Sequence, residues 1–443
     1  MEIRDLIVTP IVLILIYGVA FGIRSSVTDE VNRGYFIPAL TVKIVGALAL
    51  GFIYQFYYSG GDTFTYHTHG SRPLWEALIE TPVNGIRAFF YHGTYGAGLW
   101  DIAEKIWYWR DSSSFFIIQI ATIFDLITFS TYSATAVLFS VLAFAGGWML
   151  YLVFYQSHPK AYRMLAYCCL FVPSVIFWGS GILKDTVTLA FLGIGTYCIF
   201  KMMIGRKIRL PLILLLIVSF YVIFSVKEYI LISLIAGIIV WVASNYLFKI
   251  RSVVARLLLI PTVTILCIAF SYLIINEVIG EDSRYSLDRL ANTSMITARD
   301  IRFGWGARSG DGSGYTLGAL DGTWQSMIAM APAAINVSLF RPYLWEVTNP
   351  LMMLSAIEAL MTLCFTLYVI VVVRASIFKY VKAEIIFCLV FVLIFAFGVG
   401  VSTFNFGTLS RYKIPLLPFY WSMLAIIYSS WKEDKILKNP EVF

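Results

Sequence analysis

Ile385-Ile386-Phe387-Cys388-Leu389-Val390-Phe391-Val392-Leu393-Ile394-Phe395-Ala396-Phe397 runs for thirteen residues without a polar side chain. With its flanks (384–402) it reaches the roughly 20 apolar residues needed to cross a bilayer core. Runs of the same kind recur at 6–23, 36–57, 132–155, 164–180, 185–203, 210–226, 229–248, 256–276, 348–373 and 413–430. The 443 residues are 59% hydrophobic and 13% charged, with a mean hydropathy of +0.80. A soluble domain carries about 25% charged residues. This composition excludes a soluble enzyme, a secreted disulfide scaffold, a disordered chain and a nucleic-acid-binding module. The expectation is an all-α, polytopic transmembrane bundle of about 11–12 spans, a single transmembrane domain over 1–443.

The net charge of +7 does not point to nucleic acid, because the basic residues lie in short loops between apolar runs. All six cysteines (Cys168, Cys169, Cys198, Cys267, Cys364 and Cys388) fall inside those runs, where packing is their expected role. The first run, without a small-residue cleavage site, reads as a retained span rather than a signal peptide. Connections 156–163, 201–209, 249–256 and 374–382 together hold twelve Lys and Arg and no acid. The positive-inside rule puts them in the cytoplasm. The alternate connections, among them 277–346 with eight acids and six arginines but no lysine, then face outward. Gln119 and Asp125 in 115–129 are costly at mid-membrane, so that run is expected to lie against the membrane. This makes 58–130 an outer interfacial region and 277–346 a long outer loop. Lys43, near the start of the second span, is expected to snorkel to the cytoplasmic surface.

Four stretches carry candidate chemistry. Tyr57-Tyr58-Ser59-Gly60-Gly61-Asp62-Thr63-Phe64-Thr65-Tyr66-His67 follows directly on a span. Gly60 and Gly61 permit a tight turn with positive φ, which presents Asp62 at the membrane surface. A carboxylate there can take a proton from an attacking hydroxyl, hold a divalent cation, or cap the next helix. His67 and His69 form a His-x-His pair, without an accompanying acidic or cysteine cluster to complete a metal site. Between 72 and 112, Arg72, Trp75, Arg87, Trp100 and Trp107 mix aromatic and charged side chains as a membrane-surface shelf does.

The second stretch, Pro173 to Asp185, ends a span in small residues and opens the next with Lys184-Asp185. Ionisable residues this close to hydrocarbon are paired, functional or anchoring. Lys227-Glu228 repeats the pattern at the next outer turn, which suggests one polar cavity served by both. The third is the glycine-rich run Arg302–Gly314, read as a lid, together with Arg341-Pro342-Tyr343-Leu344-Trp345-Glu346 at the loop's end. Arg341 beside Trp345 and Glu346 suits a phosphate or sugar at the membrane face, or an interface anchor. The fourth, Arg411-Tyr412-Lys413-Ile414-Pro415-Leu416-Leu417-Pro418, places two cations at head-group depth on the outer side.

Taken together, Gly60-Gly61-Asp62-Thr63, the 173–185 stretch, Arg341–Glu346 and the Arg-Tyr-x-x-Pro-x-x-Pro entry at 411–418 resemble the GT-C membrane glycosyltransferases. Within that class they are similar to bacterial proteins encoded with envelope polysaccharide genes. The resemblance implies sugar transfer, with inversion and without a nucleotide donor, from a polyprenyl-phosphate-linked donor to a glycan or lipid-linked acceptor. The transfer takes place at the outer face of the bacterial inner membrane. It makes Asp62 the general base and Arg411 the ligand of the donor phosphate, assisted by Arg341 or Lys184. Asp185, Glu346, Lys413, Tyr66 and His67 complete the expected substrate-binding set. The metal requirement is open, a divalent cation being one option. In the family the acid follows the first span, whereas Asp62 follows the second. Two other readings stand beside transfer: a flippase for lipid-linked saccharide, and an O-antigen-type polymerase or ligase that works through arginines with Asp62 structural.

Overall fold

The computed structural model describes residues 2–93, 95–96, 98–205, 209–247, 258–259, 262, 265–266, 287–303, 313–318 and 320–438. The described chain is mostly helical, its one extended pairing being an isolated antiparallel bridge between Gly314 and Asn405. It divides into two compact units, 1–228 and 229–443.

The first unit is built from α1 (Ile3–Val27), α2 (Arg33–Phe56), α3 (Asp62–Tyr66), α4 (Arg72–Glu80), α5 (Pro82–Phe90), α6 (Trp100–Ala103) and α7 (Ser112–Thr128). These are followed by α8 (Tyr132–Ser157), α9 (Tyr162–Leu170), α10 (Pro173–Trp178), α11 (Lys184–Gly205) and α12 (Leu210–Val226). The second unit takes up α13 (Glu228–Leu247), α14 (Leu287–Phe303), α15 (Trp324–Ala329), α16 (Ala331–Phe340) and α17 (Pro350–Val373). It closes with α18 (Ile377–Tyr380), α19 (Ala383–Thr403), α20 (Phe406–Tyr412) and α21 (Leu416–Lys438).

Seven of the expected spans, on α1, α2, α8, α11, α13, α17 and α19, are helices long and apolar enough to cross a membrane. The chain is a multi-pass membrane protein. On α1 most apolar side chains face outward, Ile14 being 73% exposed, a surface that suits hydrocarbon and not water. Other expected spans take different forms. The 164–180 run is not one helix, because Pro173 forces Val172 into extended backbone (φ −69°, ψ 123°) and separates α9 from α10. The 210–226 run is a 17-residue helix, the 413–430 run starts only after Pro415, and 256–276 lies largely outside the described residues.

Small residues set the closest helix crossings. A Cβ on Gly146 of α8 would stand 2.2 Å from the Ala190 carbonyl of α11, and one on Gly193 would stand 2.1 Å from the Gly146 carbonyl. In the second unit a Cβ on Gly400 of α19 would likewise collide with the Ala334 carbonyl of α16. There the core runs along Phe387, Phe391 and Phe395, with Phe419 of α21 packed 4.5 Å from Phe391. The 277–346 segment is not only loop, since it contains α14, α15 and α16. The Thr323 hydroxyl caps α15 by accepting from Ser326 N.

Candidate functional site

After α2 the backbone reverses through Ser59 (φ 56°), Gly60 (φ 137°) and Gly61 (φ 125°). A side chain at Gly61 would meet the Tyr54 ring at 2.7 Å, so this turn requires its glycines both for angle and for space. Gly61 takes the cap position of α3, and Asp62, partly buried, opens the first turn. Tyr66 is buried against Tyr108, with ring centroids 5.3 Å apart.

The π-helical turn His67–Ser71 then joins α3 to α4, kinked at His69 (φ −106°, ψ 20°). The two histidines of the His-x-His pair part company here. His69 stacks on Trp107 at 4.2 Å, while His67 is fully buried with Nε2 3.6 Å from Asp125 Oδ1. Among the described residues no three His, Cys, Asp or Glu side chains gather as metal ligands.

A cleft of about 320 Å³ opens beside this turn, its lining including Glu2, Asp5, Gly60, His69, Arg72 and Tyr132. Arg72 donates to Glu2 Oε1 at 2.6 Å and to the Ser130 carbonyl at 3.2 Å. Asp5 Oδ1 accepts from Ser133 N at 2.9 Å and so caps α8 from α1. Neither Glu2 nor Asp5 stood out in the sequence, because they precede an apolar run and reach the cleft only when α1 packs on α8.

The Lys184–Asp185 pair splits between two partners in the same unit. Asp185, fully buried, forms an ion pair with Lys227. Lys227, from the next turn, thus meets this motif as its ion-pair partner. Lys184 donates to Ser113 Oγ at 2.7 Å and lies 3.4 Å from Asp111 Oδ2. Asp111 itself caps α7, accepting from Ser113 N at 3.2 Å. Partial burial opposes ionisation of Asp111, but the Ser114 hydroxyl, the Lys184 ammonium and the Ser113 hydroxyl outweigh it and hold the carboxyl down at about 2.

Two polar residues weighed against burial in the sequence are satisfied internally. Asp125 accepts from Ser71 Oγ and Thr135 Oγ1, each at 2.6 Å, and Gln119 Nε2 donates to the Phe89 carbonyl at 2.6 Å. The hydrogen-bonding part of the cost that argued against embedding α7 is thus met within the fold. Lys43 does not snorkel: its ammonium is buried and donates to the Val175 and Gly179 carbonyls at 2.8 and 2.9 Å, at the C-terminal end of α10.

In the second unit Arg341 and Lys413 come together. Arg341 grips Glu346 in a forked ion pair, with Nε 3.1 Å from each carboxylate oxygen. Its guanidinium also lies 5.2 Å from the Phe406 ring centre. Burial pushes the Glu346 carboxyl up, but Arg341 and the Tyr343 N–H hold it below the ordinary carboxylate value. Lys413 is buried and donates to the Arg341 carbonyl at 3.1 Å, so it is not the exposed cation that its neighbour Arg411 remains in part. Arg411 closes α20, its guanidinium 5.8 Å from the Tyr412 ring. The remainder of the proposed lid, 304–312, lies outside the described residues.

The fold and these clusters define a polytopic helical membrane protein with a polar cleft built on its first two helices and α8. Comparison with protein-family models, with curated proteins and with solved structures finds no match.

Proposed function

We propose that the protein transfers a sugar from a polyprenyl-phosphate-linked donor to an acceptor hydroxyl, on the face of a bacterial inner membrane opposite the twelve cations of the basic connections. The observation that carries this reading is the Ser59–Gly61 turn. It sets a carboxylate, Asp62, immediately after a membrane helix and two residues from a cleft lined by a cation, Arg72. Asp62 takes the acceptor's proton as its oxygen attacks the anomeric carbon. The bond from that carbon to the donor phosphate breaks, and polyprenyl phosphate leaves with the electron pair. Within the first unit the cations for the developing charge are Arg72, which lines the cleft, and Lys184.

The break between α9 and α10, with Lys43 bonded to the end of α10, favours a second reading, a flippase for lipid-linked saccharide. Both readings meet in one assay on the purified protein in vesicles that carry a polyprenyl-phosphate sugar and a saccharide acceptor. Transfer predicts release of polyprenyl phosphate in step with new glycosidic bonds. Movement of the lipid-linked sugar between leaflets without release would replace transfer by the flippase.

A further inference from the structure

Beneath the cleft lies a polar cluster that the transfer chemistry does not use. Asp125 is fully buried, yet two hydroxyls reach it at 2.6 Å. Such lengths belong to hydroxyls that donate to an ionised carboxylate, about 2.5–2.7 Å. A buried carboxylate needs a counter-charge, for desolvation otherwise costs about several kcal/mol. Among the described residues, the basic side chain within ion-pair distance of Asp125 is His67. Its own ring is fully buried and neither nitrogen makes a hydrogen bond. At 3.6 Å the Nε2–Oδ1 approach stops short of a hydrogen bond. A second proton on the imidazole would supply the missing charge, and a shift of less than about 1 Å would close the contact.

The pair is also placed to transmit that change. His67 opens the π-helical turn and Ser71 ends it, so Asp125 is bonded to one end of the turn and lies 3.6 Å from the other. On one side of the turn α3 begins with Asp62, and on the other α4 begins with Arg72. Immediately after α7, Phe129 and Ser130 both adopt positive φ (53° and 52°), a strained corner that the surrounding packing must enforce. We propose that His67 and Asp125 form a buried proton-binding site, in which uptake of one proton from cleft water closes an imidazolium–carboxylate contact and fixes the spacing of Asp62 and Arg72.

The titratable and charged groups on the elements packed against the turn are Asp62 and Tyr66 on α3, Arg72, Glu76 and Glu80 on α4 and Asp125 on α7, with His69 in the turn itself and Asp5 of α1 and Tyr132 of α8 lining the adjacent cleft. Tyr132 stands edge-on to the imidazole at 5.5 Å and is bonded to Thr63 at 2.8 Å. Arg72 is held by Glu2, Asp5 by Ser133, and His69 by Trp107. Asp125 is the carboxylate that answers His67.

The site stands whether or not Asp62 is a general base, and its test needs no substrate. The full chain has four histidines, so ¹⁵N-histidine labelling in lipid nanodiscs gives a short spectrum in which His67→Gln assigns the His67 signal. Titrated from about pH 4 to about pH 9, the His67 midpoint should fall by at least about one pH unit in Asp125→Asn. It should rise in Ser71→Ala, which strips a hydrogen bond from the carboxylate and leaves the imidazole untouched. Identical midpoints in the wild type and both variants would overturn the proposal. Where Asp125→Asn does not fold, an unmoved Ser71→Ala midpoint overturns it alone.

Discussion

Lys43 lies in an apolar helix and is nevertheless buried, because the end of α10 turns two carbonyls toward it. No local pattern announces that partner. The reason is the break at Pro173, far along the chain, and the close packing of α10 on α2 at Gly46. The Asp62 turn was legible for the opposite reason, since two glycines in succession carry their own conformational message. Asp111 is of the hidden kind: it reads as a helix cap, and its bond to Lys184 appears only in three dimensions. Its carboxyl is held below the unfolded value of about 4, so its stabilisation is present above that value and is lost as pH falls through about 2. Thermal melts of Asp111→Asn should therefore show a lower midpoint than the wild type at pH 7. That gap should close as the pH approaches 2. The Asp185–Lys227 pair carries a larger penalty when broken, for both groups are buried. Asp185→Asn alone should cost about 3–5 kcal/mol in chemical denaturation, and Asp185→Asn with Lys227→Met should recover most of it.

At the scale of elements, apolar length identified the long helices well, because a span must satisfy its backbone internally and therefore keeps a simple composition. It failed where a proline or a shared polar partner decides. The 164–180 run broke at Pro173, and 115–129 looked too polar for burial until Ser71, Thr135 and Phe89 supplied its partners. The α8–α11 crossing offers a direct check on helix packing. Gly146→Ala puts a methyl against the Ala190 carbonyl and should destabilise by about 1–3 kcal/mol. Gly147→Ala, whose new methyl comes no nearer than 3.8 Å to a neighbour, should be neutral or stabilising by up to about 1 kcal/mol. Equal thermal midpoints for the two variants would contradict this close approach.

At the scale of the whole molecule, the apolar majority makes the chain a membrane protein, and the charged minority sorts itself into recognisable sets. Asp62, Arg72, Lys184 and Asp185 belong to the first compact unit, and Arg341, Glu346, Arg411 and Lys413 to the second. In the second unit Arg341 and Glu346 are committed to each other, and the proposed chemistry centres on Asp62 in the first. The most direct measurement is the rate of polyprenyl-phosphate release by Asp62→Asn against the wild type, in vesicles with donor and acceptor supplied. Loss of a general base predicts a fall of about 10²–10⁴-fold with the fold intact. Full activity in Asp62→Asn would contradict the account.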